Sequence, residues 1–253
     1  MVSVTEIRTA PVKGFALLSR DEVYVGERGV VDNRRFLLVD GEGNRLRSSL
    51  TSWPVVVTGS YDDEREELTI RFPGGRELTA SALANGETVR CVVSRGEIDV
   101  RVVDGPWTEP LSELAGHPVR LVRPELPGAS LSEPVTFVSR ASLDRLAEEA
   151  GQSIDSRRFR MLFTIGGCDP HEEDEWEGRR ARVGGAVLRF GGPVDRCAMT
   201  TRDPDTGERD LDTLRLIKSY RGMPRAGKID FGVYAQVVEP GRVRVGDAIE
   251  LEG

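Results

Sequence analysis

Residues 186–201 read AVLRFGGPVDRCAMTT, and this stretch decides how the chain is interpreted. The apolar run Ala186–Phe190 predicts a strand, and the glycines and proline after it predict a loop. Cys197 lies in that loop, directly after Arg196. A neighbouring cation favours the thiolate over the thiol, and the thiolate is the form that binds soft or redox metals. A free cysteine is also commonly a small buried apolar residue, so both interpretations of Cys197 stay open at this point.

The bulk composition is that of a globular protein with an acidic surface. The 253 residues are 38% hydrophobic and 30% charged, with a net charge of -7. We expect no binding of nucleic acid or of a membrane by such a surface, although locally gathered Arg and Lys can still bind an anion. No apolar run approaches the roughly 20 residues that cross a bilayer, and the N-terminus has no signal-peptide core. The cytoplasm is therefore the expected location.

The chain reads mostly as short strands separated by turn residues. Pro54–Ser60 reads as one strand, and Thr88–Val93 and Ile98–Val103 flank a hairpin signal. Because strands and helices do not alternate regularly, the pattern predicts a mainly β fold with a few helices. A Gly-Pro turn follows the strand-rich first part, so we expect two domains, residues 1–104 and 105–253.

Three segments carry helix signals. Thr108 is expected to cap a short helix. Ser139 precedes a run of apolar residues at helical spacing that Gly151 ends. Asp212 begins a third amphipathic segment.

The more familiar site motifs fit poorly. Gly222–Lys228 has the first seven positions of a phosphate loop, but the expected strand and helix stand in reversed order. Asp203–Gly207 has the wrong spacing for a calcium loop and predicts a tight turn. Cys168 and His171 form one close pair of soft ligands, whereas a structural zinc site usually needs two such pairs.

The Cys197 stretch resembles the signature of the MOSC domain family, which takes its name from the C-terminal domain of molybdenum cofactor sulfurase. The similarity continues through Asp203–Gly207, Ser219–Arg221 and Phe231–Tyr234. Upstream, residues 11–14 and 32–40 resemble the N-terminal MOSC β-barrel domain. The resemblance covers nearly the whole chain and points to the branch of the family that reduces amidoximes.

The resemblance implies two β-barrel-like lobes with a molybdenum cofactor, molybdopterin, in a cleft between them. It makes Cys197 the metal ligand and the catalytic residue. Side chains at matching positions are implied cofactor contacts, namely Lys13, Arg35, Ser132, Arg160, Arg196, Thr200 and Thr201. Since Arg offers a planar fork and Lys a compact charge for the phosphate of the cofactor, we expect Lys13, Arg35 and Arg160 to converge on one anion site near Cys197.

Several positions depart from the reductase pattern. Gly14 stands where Ser is usual, and Met161 and Leu162 replace Pro and Asn. Asp195 replaces a Ser, and Glu133 replaces a hydroxyl residue. The two carboxylates add negative charge near an anionic ligand, which is unfavourable unless they are paired.

The resemblance leaves more than one function open. The first is the reduction of small N-hydroxylated or N-oxide compounds, with electrons from a separate donor protein because the chain has no Cys-rich iron–sulfur motif. The alternative is a carrier or sulfur-transfer role for the cofactor through Cys197, and a third is a β-rich module without cofactor. Pyridoxal phosphate is associated with the family through the aminotransferase-like domain of full sulfurases, and we do not expect it here.

Overall fold

The computed structural model describes residues 1–46, 51–93, 96–125, 134–225 and 227–252. Ser132 and Glu133 lie outside the described residues. The strands of the first half are β1 Ser3–Thr9, β2 Leu18–Arg20, β3 Glu22–Gly26, β4 Gly29–Val30, β5 Leu37–Asp40, β6 Thr58–Asp62, β7 Glu67–Arg71, β8 Glu77–Ser81, β9 Thr88–Val93, β10 Gly96–Val103 and β11 Val119–Pro124. Those of the second half are β12 Val135–Ser139, β13 Phe163–Gly166, β14 Arg180–Val183, β15 Ala186–Asp195, β16 Asp230–Glu239, β17 Gly241–Arg244 and β18 Ile249–Leu251. The α-helices are α1 Thr108–Ala115, α2 Arg140–Ala150 and α3 Thr213–Arg221, and single 3₁₀ turns cover Trp53–Val56, Ser156–Phe159, Glu172–Trp176 and Ala198–Thr201. The predicted mainly β architecture with a few helices is confirmed.

The first lobe comprises the described residues from 36 to 124. A four-stranded antiparallel sheet in the order β5-β11-β10-β9 faces a three-stranded antiparallel sheet in the order β6-β7-β8. Helix α1 packs against β11 and contributes the fully buried Leu111 to the core between the sheets, next to the fully buried Trp107. Burial of these large side chains is the main stabilising term for this lobe.

The second lobe comprises strands β1 to β4 and the described residues from 135 to 252. Its eight-stranded sheet runs β18-β14-β15-β16-β12-β13-β1-β2, with β12 and β13 parallel and the other pairs antiparallel. A second sheet, β17-β3-β4, contributes to the same core. Aromatic side chains fill that core, with the Phe137 ring 5.1 Å from the ring of Phe163 and 5.1 Å from that of Phe190, centroid to centroid. Trp176 packs edge-on against Phe190.

The packing does not follow the predicted boundary after residue 104. Strand β1 pairs with β13, and β3 pairs with β17, so strands β1 to β4 belong to the sheets of the second lobe. Helix α1 and strand β11 follow residue 104 but belong to the first lobe. The division of the sequence into domains 1–104 and 105–253 stays a prediction. In the structure, strands from both sides of residue 104 share the same sheets.

The local helix predictions hold with one adjustment. The Ser139 hydroxyl accepts from the Ser142 N–H at 3.0 Å, and the Asp212 carboxylate accepts from the Arg215 N–H at 3.0 Å. Gly151 ends α2 in the left-handed region at φ 65°. Thr108, however, is the first helical residue of α1, and the capping position before it holds a Trp107 that makes no side-chain cap.

The prediction of a strand over Pro54–Ser60 is wrong for its first half. Residues Trp53–Val56 form a 3₁₀ turn, and strand β6 begins only at Thr58. Proline fixes φ near the helical value and is favoured at the start of a helical turn. Pro54, the second residue of the turn, therefore favours the turn over a strand.

A third buried cluster supports the region around Cys197. Leu143 and Leu146 of α2 and Ile217 of α3 pack together with Phe159 and Phe231. The two phenylalanine rings stack at a centroid distance of 4.5 Å. This cluster fixes the 3₁₀ turn Ser156–Phe159 against β16.

No helix in the parts of the chain that the structure describes is both long enough and apolar enough to cross a membrane. The cytoplasmic location expected from the composition stays a prediction.

We expect Gly232→Ala to destabilise the protein by about 3 kcal/mol, from a positive φ combined with overpacking. Gly232 has φ 73°, and an added Cβ would lie 2.4 Å from the Phe137 carbonyl oxygen. Gly74 is the matched control, because it has φ 85° and nothing within 4 Å of the added Cβ. Gly74→Ala should cost only about 1 kcal/mol. Equal losses in urea unfolding would show that the close approach of β16 to β12 is wrong.

Candidate functional site

Cys197 lies at the end of β15, where the strand gives way to the 3₁₀ turn Ala198–Thr201. Its carbonyl oxygen accepts from the Thr200 N–H at 3.1 Å and from the Thr200 hydroxyl at 3.2 Å. Thr213, at the start of α3, donates to the Thr200 hydroxyl at 2.7 Å. These bonds fix the backbone of the loop while the cysteine itself remains exposed.

Cys197 shares a pocket with a concentration of basic side chains. The pocket has a volume of about 410 Å³. It is lined by Lys13, Gly14, Arg34, Arg45, Leu46, Arg158, Phe159, Arg160, Asp195, Arg196, Cys197, Met199 and Thr200. Six of these residues are basic and one is acidic, in a chain with a net charge of -7. Both lobes contribute, since Arg45 and Leu46 come from the first and Cys197 from the second.

Arg196 is held almost entirely by protein carbonyls. Its Nε donates to the Phe231 oxygen at 2.8 Å and its Nη1 to the Phe159 oxygen at 2.9 Å. The guanidinium also lies over the Phe159 ring, 5.3 Å from the centroid. Burial lowers its pKa to about 10, so the group remains charged near neutral pH. Arg196 thereby joins the Cys197 loop to β16 and to the turn Ser156–Phe159.

Arg160 and Arg34 form a coupled pair in the pocket. Arg160 donates from Nη2 to the Phe15 oxygen at 2.6 Å, and Arg34 donates from Nη2 to the Arg160 oxygen at 2.6 Å. Burial, and then the charge of Arg34, lower the pKa of Arg160 to about 9. Among the described residues, neither they nor Arg196 have a carboxylate within ion-pair distance. Partly buried cations without such a partner favour the binding of an anion.

Lys13 lies close to the other cations of the pocket. Burial and, to a smaller extent, repulsion from Arg45, Arg34 and Arg160 together lower its pKa to about 7. The next residue, Gly14, has φ 105°. Glycine adopts that conformation without the strain that a serine would have at this position.

The structure does not bring Arg35 to this pocket. Its Nη1 donates to the Pro124 oxygen at 3.3 Å, and its charge faces Arg123 and Glu66 of the first lobe. Arg34 occupies the pocket instead. Arg34 is in the left-handed conformation at φ 56°, which breaks the alternation of an extended chain and reverses which of the two neighbours faces the pocket. The expected convergence of Lys13, Arg35 and Arg160 therefore holds for Lys13 and Arg160 only.

The two threonines predicted as contacts are placed differently. Thr200 lines the pocket, whereas Thr201 is buried, donates to the Ala198 oxygen at 2.7 Å and lines a neighbouring cavity of about 500 Å³. The predicted contact Ser132 lies outside the described residues.

Arg158 lines the pocket, but its charge is neutralised within the protein. Nη1 donates to Asp210 at 2.7 Å, and Asp203 lies 3.7 Å from Nη2. Arg157 makes a parallel pair with Asp205 at 2.6 and 2.8 Å. These ion pairs hold the loop 203–210, which follows Cys197, against the turn Ser156–Phe159.

Three departures from the family pattern, Asp195, Met161 and Leu162, are accommodated locally. The Asp195 carboxylate accepts from the Ile229 N–H at 3.3 Å. The hydrogen bond to Asp230 raises the pKa of Arg225, and the charge of Asp195 adds to that shift. The Met161 sulfur accepts from Arg196 Nη2 at 2.8 Å. Leu162 is buried in the second-lobe core. Asp195 is therefore partly paired, as an acidic residue beside an anion site must be.

The other two cysteines are less suited to act as thiolate ligands or nucleophiles. Cys91 is buried, and burial raises the pKa of its thiol. Burial, followed by the charges of Glu173 and Glu172, raises the pKa of the half-buried Cys168 to about 11. The predicted order of exposure, with Cys197 exposed, Cys168 intermediate and Cys91 structural, is confirmed. Within the described ranges no group of three or more His, Cys, Asp or Glu side chains is arranged to hold a metal ion.

Sequence reasoning missed Arg34, Arg45 and Arg158. The contact was assigned to Arg35 instead of its neighbour Arg34, because nothing in the sequence specifies a left-handed φ at a non-glycine residue. Arg45 follows a turn in which the Asp40 carboxylate accepts from the Glu42 and Asn44 N–H groups at 2.9 Å. The Asp-Gly-Glu-Gly-Asn composition of that turn indicates a tight chain reversal. It does not indicate that the next residue, Arg45, reaches the pocket.

The fold and the pocket define a two-lobed β-rich protein with an exposed cysteine beside a cluster of basic side chains. The family model for the MOSC domain matches residues 112–250. The chain belongs to the MOSC domain family.

Full-length relatives and solved structures are also similar. The human protein named mitochondrial amidoxime-reducing component 1 is 27% identical over 284 aligned positions, covering 99% of this chain and 83% of that protein. The molybdenum cofactor sulfurase of Caenorhabditis briggsae is 22% identical and covers 98% of this chain, but the match spans only 36% of the sulfurase. The crystal structure of the YuaD protein of Bacillus subtilis aligns over 99% of this chain and 96% of that one, with 14% identity and a TM-score of 0.45.

We expect alkylation of the native protein to modify Cys197 well before Cys168, and Cys91 only after unfolding. The reason is the difference in exposure, reinforced by the raised pKa of the other two thiols. Mass spectrometry of peptides after brief iodoacetamide treatment measures the order. Early labelling of Cys91 would contradict the placement of the pocket.

We expect sulfate binding to weaken about tenfold between about pH 6.5 and about pH 8.5, because the pKa of Lys13 lies near 7 and its charge is lost over that range. A bound anion favours charged Lys13, so binding should also take up a proton. Sulfate is the probe because its own charge is constant over this range. Calorimetry in two buffers of different ionisation enthalpy measures both effects. In the control Lys13→Met, the affinity should be low and independent of pH.

Proposed function

We propose that this chain holds a molybdenum cofactor through Cys197 and reduces small N-hydroxylated or N-oxide compounds with electrons from a separate donor protein. One observation carries the proposal. The exposed Cys197 shares a pocket of about 410 Å³ with six basic side chains, and three of those have no carboxylate partner among the described residues.

The donor set fits a ligand that joins a soft metal to a phosphate. A thiolate is the donor that soft and redox metals prefer. Guanidinium and ammonium groups provide charge-assisted hydrogen bonds to phosphate oxygens. The names of the two relatives, an amidoxime-reducing component and a molybdenum cofactor sulfurase, agree with this chemistry.

The chain's own residues then have distinct tasks. Cys197 supplies the thiolate, and Arg196 and Thr200 hold the loop that presents it. Lys13 and Arg160 provide positive charge for the phosphate of the cofactor. When bound, the cofactor supplies two-electron redox chemistry at molybdenum.

The net reaction can be written for an amidoxime substrate. The N–O bond breaks, two electrons arrive from the donor protein, two protons are taken up, and the oxygen leaves as water. The nitrogen keeps its bond to carbon and gains hydrogen. The pocket binds and orients the substrate so that its oxygen faces Cys197, and this positioning is the contribution that a protein makes to cofactor chemistry.

A carrier or sulfur-transfer role is the second candidate. The observation in its favour is the exposure of Cys197 itself, because a cysteine that passes or accepts sulfur must be reached by another protein or cofactor. Turnover of an N-hydroxylated substrate separates the two roles. A carrier binds the cofactor transiently and reduces nothing.

We expect Cys197→Ser to fold normally but to retain at least about tenfold less molybdenum, since even residues that only support metal ligands typically cost 10–100-fold in affinity. Serine keeps the size of the side chain but offers a harder oxygen donor. The measurements are molybdenum per chain, pterin fluorescence and benzamidoxime reduction with an artificial electron donor, on protein from a host that makes the cofactor. Cys168→Ser is the matched control and should behave like the wild type. Full molybdenum content and activity in Cys197→Ser would remove the thiolate from the mechanism.

A further inference from the structure

A second cavity borders the turn that presents Cys197. It has a volume of about 500 Å³ and is lined by Ala198, Thr201, Arg209, Asp210, Leu211, Asp212 and Leu214. Cys197, Met199 and Thr200 line the Cys197 pocket, so residues of one short turn line both spaces. Because consecutive Cα atoms are about 3.8 Å apart, the second cavity begins one residue from the reactive cysteine.

The polar groups around the second cavity are engaged within the protein. The Asp210 carboxylate accepts from Arg158 Nη1 at 2.7 Å, and the Asp212 carboxylate accepts from an N–H of the first turn of α3 at 3.0 Å. Arg209 has an interaction of its own within the chain. The Thr201 hydroxyl donates to a carbonyl oxygen of its own turn at 2.7 Å. The cavity therefore has little need of a charged ligand.

Two leucines give the second cavity its apolar surface. Leu211 also packs against the buried cluster that supports the region around Cys197. Leu214 is half-buried, yet among the described residues it does not pack against any of the core clusters. The apolar surface of Leu214 is thus available to a ligand, and apolar walls with few polar groups are typical of small-molecule sites.

The Cys197 pocket is too small for two ligands. Cavities that bury one drug-sized molecule have volumes of about 300–1,000 Å³. The Cys197 pocket lies near the lower end of that range, at about 410 Å³. A cofactor bound there fills the space, so a substrate whose N–O group reaches Cys197 must place the rest of its body elsewhere. The second cavity provides a comparable volume beside the same turn.

We propose that the second cavity binds the uncharged, apolar body of the substrate while the N–O group lies at Cys197. This inference rests on the proposed function, since it names the kind of substrate used at the same site. Leu214 is a specificity-determining residue in this scheme. The favoured substrates are N-oxygenated compounds with an aromatic or aliphatic body that extends beyond a single ring.

The test compares benzamidoxime with 4-ethylbenzamidoxime. The para position is the part of the ring furthest from the N–O group, so the added ethyl group probes how far the body extends. The molybdenum-loaded wild type should bind the ethyl compound with a Kd about tenfold below that of benzamidoxime, as expected for the burial of two further carbon atoms. Calorimetric titration without an electron donor measures both values.

Substitutions at Leu214 test the assignment of the cavity. Leu214→Asn should raise Kd and KM for the ethyl compound about tenfold, with kcat and the binding of benzamidoxime little changed. Leu214→Met should keep the preference, because methionine is apolar and of similar volume. Leu114→Asn is the matched control, since Leu114 is a leucine of helix α1 in the first lobe with an exposed fraction of 37%.

Two results would overturn the proposal. One is an equal Kd for the two compounds in the wild type, which requires no variant to fold. The other is a loss of molybdenum per chain in folded Leu214→Asn, which would assign the second cavity to the cofactor.

The titrations also separate this proposal from the proposed function, because they require neither electrons nor turnover. Binding of the ethyl compound that depends on Leu214, in a protein that reduces neither compound, would support the subsite and overturn the reductase. Reduction of both compounds, with binding that does not depend on Leu214, would support the reductase and overturn the subsite.

Discussion

The hydrogen bonds of Arg196 to the carbonyl oxygens of Phe231 and Phe159 are the interactions on which the site depends. A charged guanidinium that is largely removed from water must be satisfied by the protein, and here backbone oxygens do so. Because each oxygen belongs to a different element, a single side chain fixes three segments at once: the Cys197 loop, β16 and the turn Ser156–Phe159. A lysine has no planar fork with which to bridge two carbonyls in this way.

The loop 203–210 extends this arrangement toward the first lobe. Arg157 and Arg158 hold the loop through carboxylates, and on its other side Gly207 packs against the Ser52 carbonyl oxygen so closely that an added Cβ would lie 2.5 Å from it. The loop 203–210, which follows Cys197, is therefore fixed to both lobes. Since cores and interfaces deform little, the position of Cys197 relative to the first-lobe side of the pocket is determined by packing.

The sequence allowed much of the local structure to be predicted, but less of the site. Helix caps such as Ser139 and Asp212 depend on contacts within a few residues, and these predictions hold. Cys197 is exposed, as predicted, although residues 191–193, which were expected in the loop before it, belong to strand β15. The presence of Arg34 in the pocket in place of Arg35 could not be predicted from the sequence, because it depends on one backbone dihedral that tertiary packing sets. The membership of β1 in the second lobe depends on pairings more than 150 residues apart, which no local pattern contains.

The interleaving of the lobes has a consequence for how the chain is made. The first lobe is continuous, so a ribosome releases all of it before β13 and β17 are synthesised. Strands β1 and β3 must therefore wait for β13 and β17. Pairings of such long sequence separation are slow to form. Strands β1 and β3 thus remain without these later partners while the first lobe is synthesised, and the second lobe is completed only when β13 and β17 pair with them.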